Sequence, residues 1–375
     1  MTFKKILKSL SKKEWKFILI ISLISILLVS IPYIYGLINK PIDTTYNPIQ
    51  GFSSGDKEVY NSYIEQIKQG NFLLKDLYTS ENQNKVTLNI MWLSTGLFAK
   101  FFNLSNSLSF YLIQIFSIPF LFISIYSLLV LVWKSKIKRK IAFLFSIFSA
   151  GFGFLFVGIP KFESDYIINH PMDIWVSEAF TFTTIINSPH FIISLMLIIL
   201  IFIFLYLSIE NKNYKQSLIA GTLSLILFQF HPYHLPTILC VIFAYTILYS
   251  LKNKEKLLDN FKYPLILILT SSPSIIYHLI ILKIDPISLA KSHQNICITP
   301  KLITVLLSYG FLLIGAVTYI WIFRNKKIKN IKLFLIIWFL VQFLLLYAPT
   351  QLQRRLSEGL HIPISILTIL LFFYH

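Results

Sequence analysis

Long apolar runs alternate with short polar segments along almost the whole chain. A run of about 20 apolar residues predicts a membrane-spanning helix, because a helix rising about 1.5 Å per residue needs that length to cross a hydrocarbon core about 30 Å thick. The pattern therefore predicts an all-α integral membrane protein, a polytopic helical bundle of about ten spans. The predicted spans occupy residues 17–38, 107–133, 141–160, 191–209, 217–230, 235–251, 263–282, 301–323, 333–348 and 362–375.

The longest polar segment follows the first span and covers residues 40–86. After it, residues 86–102 are apolar but interrupted by Asn89, Ser94 and Lys100, a pattern that favours a helix lying in the interface over a span. We therefore expect a large first outer loop with interfacial helices at 39–106, within a single transmembrane domain over 1–375. The last apolar run is short for a span, which indicates a marginal helix or a C-terminally truncated chain.

The distribution of charge predicts which side each loop faces. Of 34 Lys and Arg residues, 22 fall in the five segments that alternate spans would place on one side, and 12 of 16 Asp and Glu residues fall on the other. Because basic loops stay in the cytoplasm, the N-terminus is predicted to be cytoplasmic and the first loop to lie outside the cell membrane. The basic segments are 1–16, 134–140, 212–215, 252–262 and 324–332.

Composition changes this prediction little. With 55% hydrophobic and 13% charged residues, the chain is not a soluble globular protein. The net charge of +18 reflects the basic cytoplasmic loops, so we do not expect nucleic acid as a partner. Two cysteines, Cys240 and Cys297, provide neither a disulfide framework nor a metal cluster.

Most of the unusual polar residues fall in the predicted outer loops. Asp56 begins a stretch in which Tyr60, Tyr63, Ile64 and Ile67 recur at helical spacing. A carboxylate there is either a helix cap or a general base, and both interpretations remain open. A second carboxylate, Glu58, follows two positions later in the sequence and is a further catalytic candidate.

The second outer loop carries Glu163 and Asp165, a spacing that lets both carboxylates approach one hard cation such as Mg²⁺ or Mn²⁺. His231 and His234 are three residues apart and could share a helical face, but transition-metal binding would need a further ligand to which the sequence does not point. A structural turn with two prolines is the alternative. With Glu178 and His190, these histidines are candidates to line an outward-facing polar cavity.

Arg354 and Arg355 are predicted outside, where the charge rule disfavours arginine. An arginine near the membrane needs a partner, and a phosphate can accept two parallel hydrogen bonds from its guanidinium group. Glu358 and Glu178 are the alternative partners within the chain.

This layout resembles that of the GT-C superfamily of polyprenyl-linked-sugar glycosyltransferases. The resemblance covers most of the chain and is carried by Gly55-Asp56 with Tyr60 and Gly70, the acidic triplet at 163–165, and the late arginine pair. It implies a catalytic role for Asp56, a metal-binding role for Glu163 and Asp165, and a lipid-phosphate role for Arg354 or Arg355. Glu163 replaces the commoner aspartate, and the missing Trp-Trp-Asp motif argues against an oligosaccharyltransferase.

The sequence thus predicts an inverting glycosyltransferase at the outer face of the cell membrane. It would move a sugar from a polyprenyl-phosphate carrier to a hydroxyl of a lipid or glycan acceptor, with Mg²⁺ or Mn²⁺ as the candidate cofactor. The alternatives are a transporter or lipid flippase, which would carry ionisable residues within its spans, and a non-catalytic scaffold.

Overall fold

The computed structural model describes residues 2–44, 46, 54–157 and 170–373 of the chain, and for residues 54 and 55 it describes the backbone only. These residues form α-helices joined by loops and short 3₁₀ turns. The helices are α1 Phe3–Lys8, α2 Lys12–Ile38, α3 Ser54–Lys68, α4 Ile90–Phe101, α5 Asn106–Val132, α6 Lys136–Phe148, α7 Thr181–Asn187, α8 Pro189–Asn211, α9 Tyr214–Phe230, α10 Leu235–Asn253, α11 Leu257–Ile284, α12 Pro286–Gln294, α13 Leu302–Phe323, α14 Asn330–Leu345 and α15 His361–Phe372. The 3₁₀ turns are Gly153–Phe156, Met172–Ile174, Pro232–His234 and Gln353–Ser357.

Helix length and composition confirm a helical protein of the multi-pass membrane class. Among the described residues, eight helical segments are long and apolar enough to cross a membrane. They are Lys12–Ile38, Asn106–Val132, Lys136–Phe156, Pro189–Asn211, Pro232–Asn253, Leu257–Ile284, Leu302–Phe323 and Gln353–Phe372.

The predicted number of ten spans is not confirmed. The spans expected at 217–230 and 333–348 correspond to the shorter helices α9, of 17 residues, and α14, of 16 residues. Helix α4 has 12 residues and is therefore about 18 Å long, too short to cross the hydrocarbon core. Its length favours the prediction that 86–102 does not cross, while its position in the interface remains a prediction.

A buried ion pair joins three helices at one end of the bundle. The Glu14 carboxylate accepts hydrogen bonds from Arg139 Nη1 at 3.1 Å and from the Tyr126 hydroxyl at 3.0 Å. Its other oxygen accepts from the Ser11 backbone N–H at 2.9 Å and so completes the start of α2. Glu14 is fully buried, so removing Arg139 would leave an uncompensated charge at a cost of about 3–5 kcal/mol.

The predicted cytoplasmic segments contact one another, and so do the predicted outer segments. Within the basic set, Lys252 Nζ donates to Asn330 Oδ1 at 2.6 Å, and Lys212 pairs with Glu255. Within the outer set, Lys291 pairs with Asp76 at 2.5 Å. The bundle therefore has a basic end and an opposite polar end, and which end faces the cytoplasm remains a prediction.

Helix α8 fixes the polar end relative to the core. It is the second most buried of the eight long segments and packs against α5, α9 and α10. Because its body is held on several sides, its first turn, with His190, has a fixed position at the polar end.

Helix α13 is interrupted at Gly310, whose φ of 46° departs from helical geometry. The Leu307 carbonyl near this break accepts the Phe152 N–H at 3.0 Å. The backbone at Gly151 lies so close that an added Cβ would come within 1.7 Å of the Ser308 carbonyl oxygen. Asp173 fixes the same crossing by accepting the N–H groups of Gly151 and Gly153 at 3.1 and 2.9 Å.

Sidedness is tested by cysteine labelling in a background with Cys240→Ala and Cys297→Ser. We expect Glu81→Cys to react with a membrane-impermeant thiol reagent in intact cells, and Lys136→Cys to react only after permeabilisation. Both positions are exposed in the fold, so burial does not prevent labelling. Reaction of Lys136→Cys but not Glu81→Cys in intact cells would reverse the predicted orientation.

Candidate functional site

A polar cavity of about 90 Å³ lies at the polar end, between the start of α3, residues 170–180, the first turn of α8 and the turn Gln353–Ser357. Five residues singled out from the sequence meet in this cavity although they come from distant parts of the chain. Its charged or polar lining includes Asp56, Lys57, Glu178, Asn187, His190, Arg354 and Arg355.

A second cavity of about 230 Å³ continues from the first and shares Tyr60, His190 and Arg355 with it. Its wall is largely aromatic. The Tyr60 ring stacks on the Trp92 ring with centroids 4.4 Å apart, and His190 meets Tyr60 edge-on at 5.0 Å. The second cavity therefore offers aromatic faces beside the charged lining of the first.

The second cavity in turn joins an apolar groove of about 510 Å³, with which it shares Phe230, Tyr233 and Asn295. Leu279 of α11 lines this groove and is 63% exposed. Because α11 exposes apolar side chains along its outer face, the groove opens where lipid chains would lie. The charged cavity and the apolar groove thus each share wall residues with the second cavity.

Arg355 has a partner within the chain. Its Nη1 donates to Oε1 of Glu178 in an ion pair, and Glu178 is only 4% exposed. The structure thus confirms Glu178 as an intramolecular partner of the arginine pair. The other candidate, Glu358, instead bonds to His234, with 2.8 Å between Oε2 and Nε2.

Arg354 lies differently from its neighbour. Its guanidinium group lies 4.6 Å from the centroid of the Trp175 ring, and its backbone N–H donates to the Cys297 carbonyl at 2.8 Å. Its Nε is buried and has no hydrogen-bond partner in the described parts of the chain. A guanidinium has five N–H donors, so Arg354 keeps donors available for an anion in the cavity.

Lys57 is a site residue that the sequence reasoning missed. It is 1% exposed, and among the described residues no hydrogen bond or ion pair reaches its ammonium group. Burial lowers its pKa from 10.5 to about 8. The sequence pattern could have indicated its burial. Lys57 extends the helical spacing of Tyr60, Ile64 and Ile67 and so starts the buried face of α3.

The other predicted site residues are placed unevenly. Asp56 is exposed and lines the cavity, whereas Glu58 is half-buried on the same helix and is not among the lining residues. Asn61 Nδ2 approaches Glu58 Oε2 at 3.5 Å. Glu163 and Asp165 lie outside the described residues, so their metal-binding role remains a prediction.

His231 and His234 are both buried near the second cavity. His231 lines the second cavity, and its ring centroid is 5.2 Å from that of His190. His234 is fully buried and contacts Ser194 and Glu358. Of the four outer-cavity candidates, Glu178, His190 and His231 reach a cavity, and His234 lies behind His231.

Comparison of the chain with protein-family models, curated proteins and solved structures finds no match. The fold therefore defines a class, a multi-pass helical membrane protein, and the resemblance to GT-C enzymes remains a prediction based on the residues named above.

The buried ammonium group of Lys57 predicts a specific dependence of stability on pH. Since folding lowers its pKa from 10.5 to about 8, the unfolded chain binds the proton more tightly, and burial of the charge is unfavourable below pH 8. The cost is on the order of 3 kcal/mol there and disappears as the pH rises towards 10.5. We expect Lys57→Met to unfold at a higher temperature than the wild type at pH 7, with the difference shrinking between pH 8 and 10.5.

The measurement is thermal unfolding of both proteins in detergent from pH 6 to 11. Lys75→Met, at an exposed position of the first loop, is the matched control and is expected to show no such pH-dependent difference. A Lys57→Met protein less stable than the wild type at pH 7 would mean that the ammonium group has a stabilising partner.

Proposed function

We propose that the chain is an inverting glycosyltransferase that uses a sugar carried on polyprenyl phosphate. The observation that carries the proposal is the cavity itself, in which the Asp56 carboxylate lies with Lys57, Arg354 and Arg355. A general base and several cations in one cavity are the groups needed to activate a hydroxyl and to receive a departing phosphate.

Different parts of the donor would occupy the charged cavity and the apolar groove. Its phosphate would bind at Arg354, whose donors are incompletely used, with Lys57 as a second cation. Its first isoprene units would lie in the apolar groove beside Leu279, because that surface is exposed and apolar. Tyr60 and Trp92 line the second cavity, which shares residues with both the charged cavity and the groove.

In the proposed reaction the acceptor hydroxyl loses its proton to the Asp56 carboxylate as its oxygen attacks the anomeric carbon. The bond between that carbon and the phosphate oxygen breaks, and polyprenyl phosphate leaves with the electron pair. The charge that develops on the phosphate is stabilised by Lys57, Arg354 and Arg355. Attack opposite the leaving group inverts the anomeric centre.

We place the reaction at the outer face of the cell membrane, with the N-terminus in the cytoplasm. The support is the grouping of the basic segments at the end of the bundle opposite the cavity. Glu163 and Asp165 stay in the proposal as ligands of a Mg²⁺ or Mn²⁺ ion, and Glu58 stays as a second catalytic candidate.

A transporter or lipid flippase is the second candidate, and the break at Gly310 favours it. Transporters use interrupted helices around a central binding site. In this chain the Phe152 ring lies at the break, 2.9 Å from where a Cβ on Gly310 would be, and Asp173 accepts the Gly153 N–H at the neighbouring crossing. Reconstituted protein that moves a labelled polyprenyl-phosphate sugar between leaflets without transferring the sugar would favour the transporter.

Asp56→Asn tests the proposed base, since the amide keeps the shape of the side chain but cannot take the proton. We expect sugar transfer to fall by about 10²–10⁴-fold with little change in the unfolding temperature. The assay is transfer from a polyprenyl-phosphate sugar by purified protein, with Glu81→Gln as the control carboxylate in the same loop. Near-normal turnover in Asp56→Asn would reduce Asp56 to a helix cap.

Arg354→Lys tests the phosphate site, because lysine keeps the charge but loses the planar set of donors. A charge-assisted hydrogen bond contributes about 1.5–3 kcal/mol, so we expect donor affinity to fall roughly ten- to a hundredfold. The matched control is Arg324→Lys, since Arg324 also lies over a tryptophan, 5.0 Å from the Trp321 ring, but at the basic end. Binding of a donor analogue is measured for both variants, and equal affinities would remove Arg354 from the site.

A further inference from the structure

A compact group of metal-ligating side chains lies behind the cavity. Within the described residues, His231, His234 and Glu358 each place one ligand atom within 4.8 Å of those of the other two. His231 directly precedes the 3₁₀ turn Pro232–His234, and His234 is its last residue. Residues three apart in such a turn lie on the same side. Glu358 follows the turn Gln353–Ser357, far along the chain.

These side chains are buried, and each has an unsatisfied polar atom. His234 and Glu358 are fully buried, and His231 is 8% exposed. In the parts of the chain that the structure describes, Nδ1 of both histidines and Oε1 of Glu358 have no hydrogen-bond partner. A buried polar atom without a partner is unfavourable by roughly 1–3 kcal/mol, so three of them in one place need an explanation.

A hydrogen-bonded His234–Glu358 pair explains only part of this arrangement. The pair is 2.8 Å long and is joined by Ser194, whose hydroxyl lies 3.1 Å from His234 Nε2. It leaves Oε1 of Glu358 and both Nδ1 atoms unused, and it gives His231 no role. A cation among the three side chains would satisfy an atom of each and would neutralise the buried carboxylate.

We propose that His231, His234 and Glu358 bind a divalent transition-metal ion. Two imidazoles and one carboxylate are a ligand set of zinc sites that keep an open position, and iron(II) sites use the same three groups. Ligand atoms of a tetrahedral zinc ion are about 3.4 Å apart, so closure from the 4.8 Å limit takes small side-chain rotations. The site differs from the Glu163 and Asp165 pair in its residues and in its preference for nitrogen ligands.

The inference does not rest on the proposed glycosyltransferase function. It depends on binding alone and would hold equally in a transporter. His231 lines the second cavity, so the ion would border the space occupied by the donor in the proposal, but no step of that reaction requires it.

Metal binding is measured on full-length protein purified in detergent without a polyhistidine tag. Zinc and iron content is determined as purified, and affinities for Zn²⁺ and Co²⁺ are measured after chelator treatment. We expect one ion per chain in the wild type, with a Co²⁺ spectrum typical of tetrahedral coordination. Loss of a surrounding hydrogen bond alone weakens metal sites about 10–100-fold. Loss of a ligand in His231→Gln, His234→Gln or Glu358→Gln should therefore weaken binding at least about a hundredfold.

His361→Gln is the matched control, since His361 is 2% exposed but both ring nitrogens already contact hydroxyl groups, of Ser149 and Thr181. Its metal affinity should equal that of the wild type. Zn²⁺ should also raise the unfolding temperature of the wild type, a readout that needs no variant to fold. Absence of a bound ion and of this thermal shift in the wild type would overturn the proposal, as would wild-type affinity in His231→Gln and Glu358→Gln.

Discussion

The ion pair between Arg355 and Glu178 organises the polar end of the protein. It joins the turn Gln353–Ser357 to the loop before α7. These two segments are far apart in the chain, and no helix contains both. Both partners are largely buried in the wall of the polar cavity, where an uncompensated charge is expensive. The ring centroids of Phe191 and Tyr233 lie within 6.0 Å of the guanidinium group. The pair therefore joins two parts of the cavity wall, and Arg354 lies in one of them.

Once that pair is formed, the cavity carries more positive than negative charge. Its described lining holds Lys57, Arg354 and Arg355 against the carboxylates of Asp56 and Glu178. Lys57 makes the consequence clear, because burial lowers its pKa to about 8 and so opposes its charged form. An anion in the cavity would favour the charged form of Lys57. A phosphate would compensate this positive charge, which supports the proposal of a phosphorylated ligand.

Much of the fold was predictable because hydropathy and charge act over whole segments. The apolar runs located most of the long helices, and two acids of the predicted outer loops, Asp56 and Glu178, lie with both arginines in one cavity. Partners within the cavity were not predictable, since Glu178 and Glu358 were equal candidates for the arginines until packing separated them. The third ligand near His231 and His234 was also hidden, because Glu358 reaches them only through tertiary structure. The number of spans stays a prediction, since the short helices α9 and α14 have 17 and 16 residues and composition alone does not fix where a helix ends.

Among the described residues, Arg324 and Arg354 lie over tryptophan rings, and the two contacts differ in burial. Arg324 lies over Trp321 at the basic end, and both side chains are exposed. There, water satisfies the remaining N–H donors, and the contact contributes about 0.5–1 kcal/mol. Arg354 lies over Trp175 in a half-buried setting, with its Nε shielded from water and without a partner among the described residues. The N–H donors of Arg324 can therefore bind water, whereas Arg354, which lines the cavity, keeps an unused donor. Burial at the polar end, and not the arginine itself, leaves Arg354 with the unused donors on which its proposed anion-binding role rests.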